Sequence, residues 1–497
     1  MKQSLRAATE PETDLTIIDS DQNQNVEAPT QASSEKVPAE PQLAKVESAD
    51  VPPNGGYGWV CVAAVFFINA HTWGINSYVL SPPLTHPPSD TPRSTYGIFL
   101  AYYISTSHFP GATSLDYAFI GGLSLSMGLF IAPLATIITR RFGTRTTLLI
   151  GIFFETLALI SASFARKIWE LYLSQGLCFG WGIGFLFVGS VGVIPQWFTT
   201  KRSLANGTAA AGSGLGGLMY SLATNTMIKR IGLGWALRIL GIVTCAVNVV
   251  CALLVRDRTK AIGSAQLAFD YRLFLRKEFI AFQAWGIFSM LGYVVLNFSL
   301  PNYASSIGLS ASQGTVLGAV FQLGQMCGRP PIGYFSDTFG RLNMAITCTI
   351  VAAVLSLAFW IPAHSYGALI PYSLLQGTVA GTFWATVGVV GAELLGLKAL
   401  PSALSITWVM ITPPTLFSEP IGLAIVDDTR ASYLGTKIFT GCMYLAAAAC
   451  LWYARAWKVG EMEAAGGNLV KQDEGEVDMQ NGKKSPFLKR LIVWRKV

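Results

Sequence analysis

Arg329 is the side chain whose position most clearly requires a chemical explanation. It lies inside an apolar run of membrane-spanning length, residues 312–336, with Gln325 four positions before it. A guanidinium binds a carboxylate through two parallel hydrogen bonds, whereas an unpaired cation inside a membrane is costly. We therefore expect Arg329 and Gln325 to contribute to a binding site or pathway for an anion. The alternative is a structural ion pair, or a side chain that extends toward an aqueous face.

Five further side chains within apolar runs are candidate ligand-binding residues. Asn69 and Asn76 are seven residues apart and share a helix face, whereas His71 is turned by about 160° from Asn69. The imidazole of His71 titrates near neutral pH, which suits proton transfer, and the alternative is a hydrogen bond to a ligand or a helix. Trp384 and Tyr293 could flank a flat ligand, and the alternative for both is packing in the core or against lipid.

The remaining ionisable and polar residues in or near apolar runs form no catalytic motif. They are Glu155, Arg238, Asn297, Glu393 and Glu419, and we expect Glu393 to lie at a cytoplasmic helix end and pair with a basic loop. The sequence has no HExxH motif, no paired intramembrane Asp residues and no GK[ST] glycine loop. Its eight cysteines lie in apolar runs without a CxxC pair. We expect no enzyme, no metal site, no cofactor and no disulfide framework.

The composition predicts the elements that hold these residues. Of 497 residues, 52% are hydrophobic and 13% charged, whereas soluble proteins carry roughly 25% charge. This excludes soluble enzymes, disordered proteins and disulfide-rich secreted modules, and it predicts an all-α polytopic membrane protein. Because a span needs about 20 helical residues, we predict twelve transmembrane helices, at 57–80, 115–138, 146–165, 169–194, 203–227, 234–255, 279–303, 312–336, 343–362, 367–392, 402–426 and 434–457.

The chain divides into five predicted segments. They are a disordered cytoplasmic tail (1–56), a six-helix bundle (57–255), a cytoplasmic linker (256–278), a second six-helix bundle (279–457) and a cytoplasmic tail (458–497). The first segment has ten acidic and four basic side chains and no aromatic residue, so it cannot bury enough apolar surface to fold. The Pro-rich segment 80–95 is either an enlarged extracellular loop or a gene-model error.

The distribution of Lys and Arg predicts that both termini are cytoplasmic. The short loops on the side of the termini hold thirteen Lys and Arg residues, and the loops on the other side hold seven. These basic residues lie singly or in pairs between apolar runs, which indicates topology in a lipid bilayer rather than a nucleic-acid partner. We expect a multi-pass protein, located in the plasma membrane.

Two short segments recur at nearly one spacing. Gln175 and Gly176 recur as Gln376 and Gly377, 201 residues later, and the Phe-Gly pair at 142–143 recurs at 339–340, 197 residues later. Two parallel six-helix repeats are the plan of the major facilitator superfamily, which this sequence resembles.

The segment Gly333 to Arg341 resembles the G-x-x-x-D-x-x-G-R loop of that superfamily. Gly333 permits close helix approach, Asp337 can pair with a cation or a helix N-terminus, and Gly340 permits a tight turn. We expect Asp337, Gly340 and Arg341 to form a cytoplasmic gate. We expect the basic pair Lys201 and Arg202 to belong to the same gate. The alternative to a gate is a basic loop that only determines membrane topology. In the first repeat Arg140 takes the place of Asp337.

Two signatures resemble those of the monocarboxylate transporter family. Residues 53–59, PNGGYGW, are similar to its D-G-G-x-G-W segment, with Asn54 in place of the acid. Residues 197–212 are similar to its signature before the fifth span, and that span carries a surface of small residues. The resemblance covers about residues 53–457. Residues 69–77 look like the fungal branch, which includes riboflavin transporter-like proteins.

The resemblance implies a secondary transporter that moves a small organic acid by alternating access, with Arg329 at the carboxylate. The family's acidic partner of this arginine corresponds to Gln325, and its lysine in the first span to Ser77, so the usual titratable pair is absent. The alternatives are efflux of a specialised metabolite, riboflavin-like uptake, or a non-transporting membrane sensor. The expected partner is a small organic anion. The sequence does not decide whether an accessory membrane protein takes part, in which direction transport runs, or whether transport is coupled to protons.

Overall fold

The computed structural model describes residues 54–79, 114–258, 269–396, 399–426, 433–473 and 490. Its regular elements in these ranges are helices, as predicted. Most of the tail predicted as disordered, residues 1–53, lies outside the described residues. So do the Pro-rich segment 80–95 and most of the C-terminal tail.

Twelve long helices, here α1 to α12, follow the predicted order, and several consist of two or three consecutive pieces. They are α1 (Tyr57–His71 and Trp73–Val79), α2 (Ser114–Phe130 and Ala132–Phe142), α3 (Thr144–Ala162), α4 (Ile168–Leu171, the π-helical Tyr172–Cys178 and Phe179–Val191), α5 (Arg202–Ile231), α6 (Leu233–Leu254), α7 (Lys277–Ser306), α8 (Ala311–Phe339), α9 (Arg341–Val354 and the π-helical Leu355–Trp360), α10 (Tyr366–Ala380 and Thr382–Leu395), α11 (Leu400–Met410 and Thr412–Ala424) and α12 (Leu434–Asp473). Each predicted span falls on one of these helices. The last helix continues to Asp473, past the predicted end at residue 457.

The membrane-spanning character of these helices is uneven. Among the described residues, nine helices are long and apolar enough to cross a membrane, and the bent pair that forms α2 makes a tenth. The other two are α5 and α8, which have 30 and 29 residues but carry more glycine and polar side chains. They complete the twelve predicted spans.

Helices α5 and α8 are less apolar because they face each other at the interface between the two six-helix halves. They pack along their length, and small residues bring the backbones together. A Cβ at Gly207 would lie 2.5 Å from Arg329 O, and one at Gly214 would lie 2.7 Å from Gln322 O. On another face of α5, a Cβ at Gly212 would overlap Phe66 O of α1. The small-residue surface expected from the sequence therefore faces both halves.

Breaks in the helices lie beside the polar residues of the interior. Helix α1 is interrupted at Thr72, α2 bends by 41° at Ile131, and α10 is interrupted at Gly381. Interrupted helices at membrane depth are tolerated where they line a cavity. Trp73 and Asn76 follow the break in α1, and Trp384 follows the break in α10.

Candidate functional site

A central cavity lies between the two halves. Its empty volume is about 910 Å³, open space at its mouth included, and helices of both halves line it. Five of the seven residues predicted to bind a ligand line this cavity: Asn69, Asn76, Tyr293, Arg329 and Trp384. Gln325 and His71 do not.

Arg329 reaches from α8 across the interface of the two halves. Its side chain is buried, with the residue 3% exposed. Nη1 donates to Ala210 O and to Ser213 Oγ, both at 2.5 Å and both on α5, while Nη2 donates to Gln325 Oε1. Nε has no partner among the described residues, and none of their carboxylates forms an ion pair with Arg329. The cavity wall therefore contains a buried cation that no described carboxylate neutralises.

Neighbouring residues hold the guanidinium in place. Gln325 is almost fully buried, and its Oε1 also accepts a hydrogen bond from Tyr293 Oη at 3.3 Å. Gly381, at the break in α10, provides the space, because a Cβ there would lie 2.8 Å from Arg329 Nη2. Gln325 thus positions Arg329 and Tyr293 instead of facing the cavity.

The wall contributed by the first half is neutral. Asn69 Nδ2 donates to Ala209 O at 2.9 Å, which fixes α1 to α5. Asn76 Oδ1 accepts from Ser124 Oγ at 3.0 Å, which joins α1 to α2. His71 is turned away from both asparagines, as its helical offset predicted, and its Nδ1 bonds to Tyr220 Oη inside the first half.

Four aromatic rings from both halves meet at the cavity. Trp384 stacks on Trp408, with ring centroids 5.9 Å apart and an interplanar angle of 8°. Trp73 lies 5.0 Å from Trp384, and Phe187 lies 4.9 Å from Trp408. Trp73, Phe187 and Trp384 line the cavity, so a flat or apolar ligand group would meet ring surface here.

Asp337 connects the two halves at the end of α8. Its Oδ1 accepts from Ser203 N at 3.1 Å, and its Oδ2 accepts from Leu204 N at 3.0 Å. These amides belong to the first turn of α5, so a carboxylate of the second half caps a helix of the first half. Gly333 allows the approach, because a Cβ there would lie 2.9 Å from Leu204 Cα.

Arg341 extends this contact to two more elements. Its Nη1 pairs with Glu393 Oε2 at 2.7 Å, its Nη2 donates to Thr199 O at 2.9 Å, and Asp337 Oδ1 lies 3.6 Å away. Glu393 thus has the basic loop partner expected for it. Gly340, between Asp337 and Arg341, has φ +105°, a conformation that favours glycine.

The two predicted basic gate residues differ in exposure. Lys201 is exposed at the position before α5. Arg202 is buried, and its Nε donates to Phe198 O at 2.9 Å. Neither residue is among the ion pairs of the described part of the chain. Asp337 bonds to the backbone of α5 instead.

The two sequence signatures contact each other. Asn54 Oδ1 accepts from Thr199 N at 2.6 Å and from Thr200 N at 3.0 Å. Asn54 has φ +56°, which asparagine tolerates better than most residues. Trp59 packs edge-on against Phe198, with ring centroids 5.1 Å apart. The amide oxygen of Asn54 therefore accepts two backbone bonds that a carboxylate oxygen could also accept.

The comparison with known families decides the class of the protein. The profile described as Major Facilitator Superfamily matches residues 62–290 and 284–496, once for each half. The chain belongs to the Major Facilitator Superfamily. This agrees with the predicted repeat and with the twelve helices.

Relatives within the Major Facilitator Superfamily carry transporter names. The Probable transporter MCH2 of Saccharomyces cerevisiae is 33% identical over 452 residues, covering 90% of this chain and 92% of that protein. The Uncharacterized transporter ESBP6 of the same yeast is 33% identical over 454 residues, covering 86% and 64%. The Fujikurins efflux protein of Gibberella fujikuroi is 28% identical over 364 residues, covering 73% and 78%. The chain is a multi-pass membrane protein and a secondary transporter of a small molecule, not an enzyme.

Several cavity residues were not singled out from the sequence. Asn206 and Ser213 line the cavity from α5, and Asn206 Nδ2 donates to Ala385 O of the second half at 2.6 Å. They are seven residues apart and thus share a helix face, a signal hidden among the glycines and alanines around them. In the described ranges, no cluster of His, Cys, Asp and Glu is arranged to hold a metal ion.

Proposed function

We propose that this transporter moves a small organic anion of the monocarboxylate type. The observation that carries the proposal is Arg329, a buried guanidinium on the cavity wall that forms no ion pair with a carboxylate of the described residues. An unpaired buried charge is costly, and a carboxylate bound to it would supply the missing charge and the acceptors. The signatures at 53–59 and 197–212, which resemble the monocarboxylate transporter family, support the same substrate class.

The contacts at the end of α8 support a gating role for Asp337, Gly340 and Arg341. Asp337 and Arg341 bond to α5 and to the loop before it, so separation of the two halves on this side must break these bonds. The distribution of basic residues assigns this side, and both termini, to the cytoplasm. The plasma membrane is the proposed location.

A second candidate is efflux of a larger specialised metabolite with an acidic group. Helices of both halves line the central cavity, so a ligand in it would contact both halves. The aromatic rings of Trp73, Phe187 and Trp384 would contact such a ligand. A relative is named for efflux of fujikurins.

The test is uptake of radiolabelled pyruvate into vesicles reconstituted with the purified protein. We expect Arg329→Gln to abolish uptake. Arg329→Lys keeps the charge but loses the planar fork, so loss of one charge-assisted hydrogen bond, about 1.5–3 kcal/mol, should raise KM roughly ten- to a hundredfold.

The matched control is Arg238→Gln, which removes a guanidinium outside the cavity. Arg238 Nε donates to Ser163 Oγ at 3.1 Å, and its Cζ lies 4.3 Å from the Phe164 ring centroid. Uptake should be unchanged in this variant. Wild-type kinetics in Arg329→Gln would refute the proposed site, and transport of bulky aromatic acids in preference to pyruvate would favour the second candidate.

A further inference from the structure

A buried acid–amide pair lies inside the first half, outside the central cavity. Glu155 of α3 is 1% exposed, and Asn248 of α6 is 0% exposed. Asn248 Nδ2 donates to Glu155 Oε2 at 2.8 Å. The other two polar atoms of the pair, Glu155 Oε1 and Asn248 Oδ1, have no hydrogen-bond partner among the described residues.

One proton would satisfy both unpartnered atoms. A carboxylic acid and a carboxamide pair through two hydrogen bonds, N–H to carbonyl oxygen and O–H to amide oxygen. The first of these is present, and the second lacks only a hydrogen on Oε1. A charged Glu155 would instead leave two buried acceptors unpaired and a buried charge without an ion-pair partner, both of which are costly. The arrangement therefore fits a protonated Glu155.

The surroundings of Glu155 contain few ionisable groups. Helix α4 presents Gly182, where a Cβ would lie 2.6 Å from Glu155 N, and α6 presents the neutral Asn248. From α5, Tyr220 lies within electrostatic range of Glu155, and Tyr220 Oη bonds to His71 Nδ1 of α1.

The other charged groups of α3, α4 and α6 in the described ranges lie toward helix ends. Arg145 donates to the carbonyls of Leu253 and Val255. Arg238 donates to Ser163 Oγ, and Glu170 accepts from backbone amides before α4. None of these pairs with Glu155, so its protonation is not fixed by a neighbouring cation.

Helix α1 contributes both to the cavity wall and to the surroundings of Tyr220. His71 lies between Asn69 and Trp73 in the sequence, and both of these residues line the cavity opposite Arg329. Glu155, Tyr220 and His71 thus form a row of titratable groups, in which Tyr220 lies within electrostatic range of Glu155 and bonds to His71. This row offers a route by which movement of α1 against α5 would change the surroundings of Glu155.

We propose that Glu155 is the proton-carrying group of this transporter. In each cycle one proton binds Oε1 from one side of the membrane and leaves to the other side, while one organic anion crosses with it. No other bond is formed or broken, and the net movement is electrically neutral. The proposal rests on the proposed anion transport. It assigns a titratable group to a chain in which Gln325 and Ser77, both neutral, occupy the positions of the family's titratable pair.

The test is Glu155→Gln, an uncharged mimic of the protonated acid. The glutamine amide can complete both hydrogen bonds with Asn248, so we expect the variant to fold. In vesicles preloaded with pyruvate, exchange of internal for external radiolabelled pyruvate should persist. Accumulation driven by an acid-outside pH gradient should be lost, together with pyruvate-dependent proton entry read by a pH dye in the lumen.

Glu278→Gln is the matched control, because Glu278 is also a buried carboxyl but is ion-paired with Arg276 at the start of α7. It should keep gradient-driven accumulation. Wild-type accumulation in Glu155→Gln would overturn the proposal. So would wild-type transport of pyruvate without proton movement.

A measurement without substrate separates this proposal from the proposed function. Infrared difference spectra of the purified protein, recorded over a pH titration, should show a protonated-carboxyl C=O band that titrates and that is missing from Glu155→Gln. If wild-type protein transports no carboxylate but this band titrates, anion transport fails and the proton site stands. A band that is absent, or that does not titrate, overturns Glu155 as a proton carrier.

Discussion

The two walls of the central cavity carry opposite kinds of polar group. The second half presents Arg329 on the cavity surface, a buried cation that no carboxylate in the described part of the chain pairs with. The first half presents the neutral amides Asn69 and Asn76, and its buried acid, Glu155, lies behind the wall beside Asn248. Repeats with a common fold have thus diverged in charge. The proposed division of roles, in which one half binds the anion and the other responds to the proton, rests on this difference.

The loops that follow α2 and α8 show the same divergence. Gly143 and Gly340 both have positive φ, +87° and +105°, so the backbone turn is shared. Asp337 caps α5 of the other half, whereas Arg140 occupies its place in the first repeat. There, Arg145 bonds to carbonyl groups at the end of α6 in its own half. One loop joins the halves, and the other stabilises a single half.

Among variants that keep Arg329, the largest effect is expected from Gly381→Ala, which tests whether the second half binds the anion. The new Cβ would lie 2.8 Å from Arg329 Nη2 and 3.2 Å from Gln325 Oε1, so the guanidinium must shift from its present position. Loss of one charge-assisted hydrogen bond to the substrate, about 1.5–3 kcal/mol, predicts a roughly ten- to a hundredfold rise in the KM for pyruvate.

Gly388→Ala is the control on the same helix, because a Cβ at Gly388 meets no atom within 4 Å. It should leave KM unchanged, and both variants should keep the pH dependence of the wild type. A Gly381→Ala protein with wild-type KM would show that the position of Arg329 does not determine binding.

The sequence was sufficient to predict the helices but not the contacts within the cavity. Apolar runs of nearly fixed length were enough to predict the order of the twelve helices, although α5 and α8 are less apolar than the other ten. The sequence also separated His71 from Asn69 and Asn76, because helical periodicity fixes their relative directions.

Long-range partners could not be predicted in the same way. Local sequence does not state that Asp337 meets the amides of Ser203 and Leu204, or that Glu155 meets Asn248, since these depend on how distant helices pack. The role of Gln325 in holding Arg329 could not be predicted for the same reason. From the sequence, a polar side chain that bonds within its own helix cannot be distinguished from one that faces a cavity.

A smaller effect is expected from Asn76→Ala, which tests the neutral wall of the first half. Ser124 Oγ keeps its bond to Gly121 O at 2.9 Å when Asn76 is removed, so the fold should be preserved. Loss of a neutral hydrogen bond to the substrate, about 0.5–1.5 kcal/mol, predicts a roughly two- to tenfold rise in KM. The pH dependence should not change, because Asn76 is not part of the row from Glu155 to His71.

Asn302→Ala is the control, since Asn302 is an asparagine of α7 outside the residues that line the central cavity. It should leave KM unchanged. An effect of Asn76→Ala as large as that of Arg329→Gln would contradict the proposed division, because the first half would then contribute as much to anion binding as the second.

The smallest effect is expected from Asp337→Asn, which compares the joining loop with its counterpart in the first repeat. The asparagine still accepts one hydrogen bond from α5 but loses the charge at the helix N-terminus, worth about 0.3–1 kcal/mol, so the cytoplasm-open population should rise roughly two- to fivefold. The measurement is the rate at which an impermeant maleimide, applied from the predicted cytoplasmic side, labels Val191→Cys on the cavity wall. The exposed cysteines Cys327 and Cys442 are first replaced by serine.

Asp257→Asn is the control for this comparison, because Asp257 Oδ2 accepts from Thr144 N, at 3.4 Å, within one half. That carboxylate stabilises the start of α3 but does not cross the interface, so its loss should leave the labelling rate unchanged. Equal acceleration in both variants would mean that the loops act only on helix stability. Acceleration in Asp337→Asn alone would show that capping α5 from the other half holds the two halves together on this side.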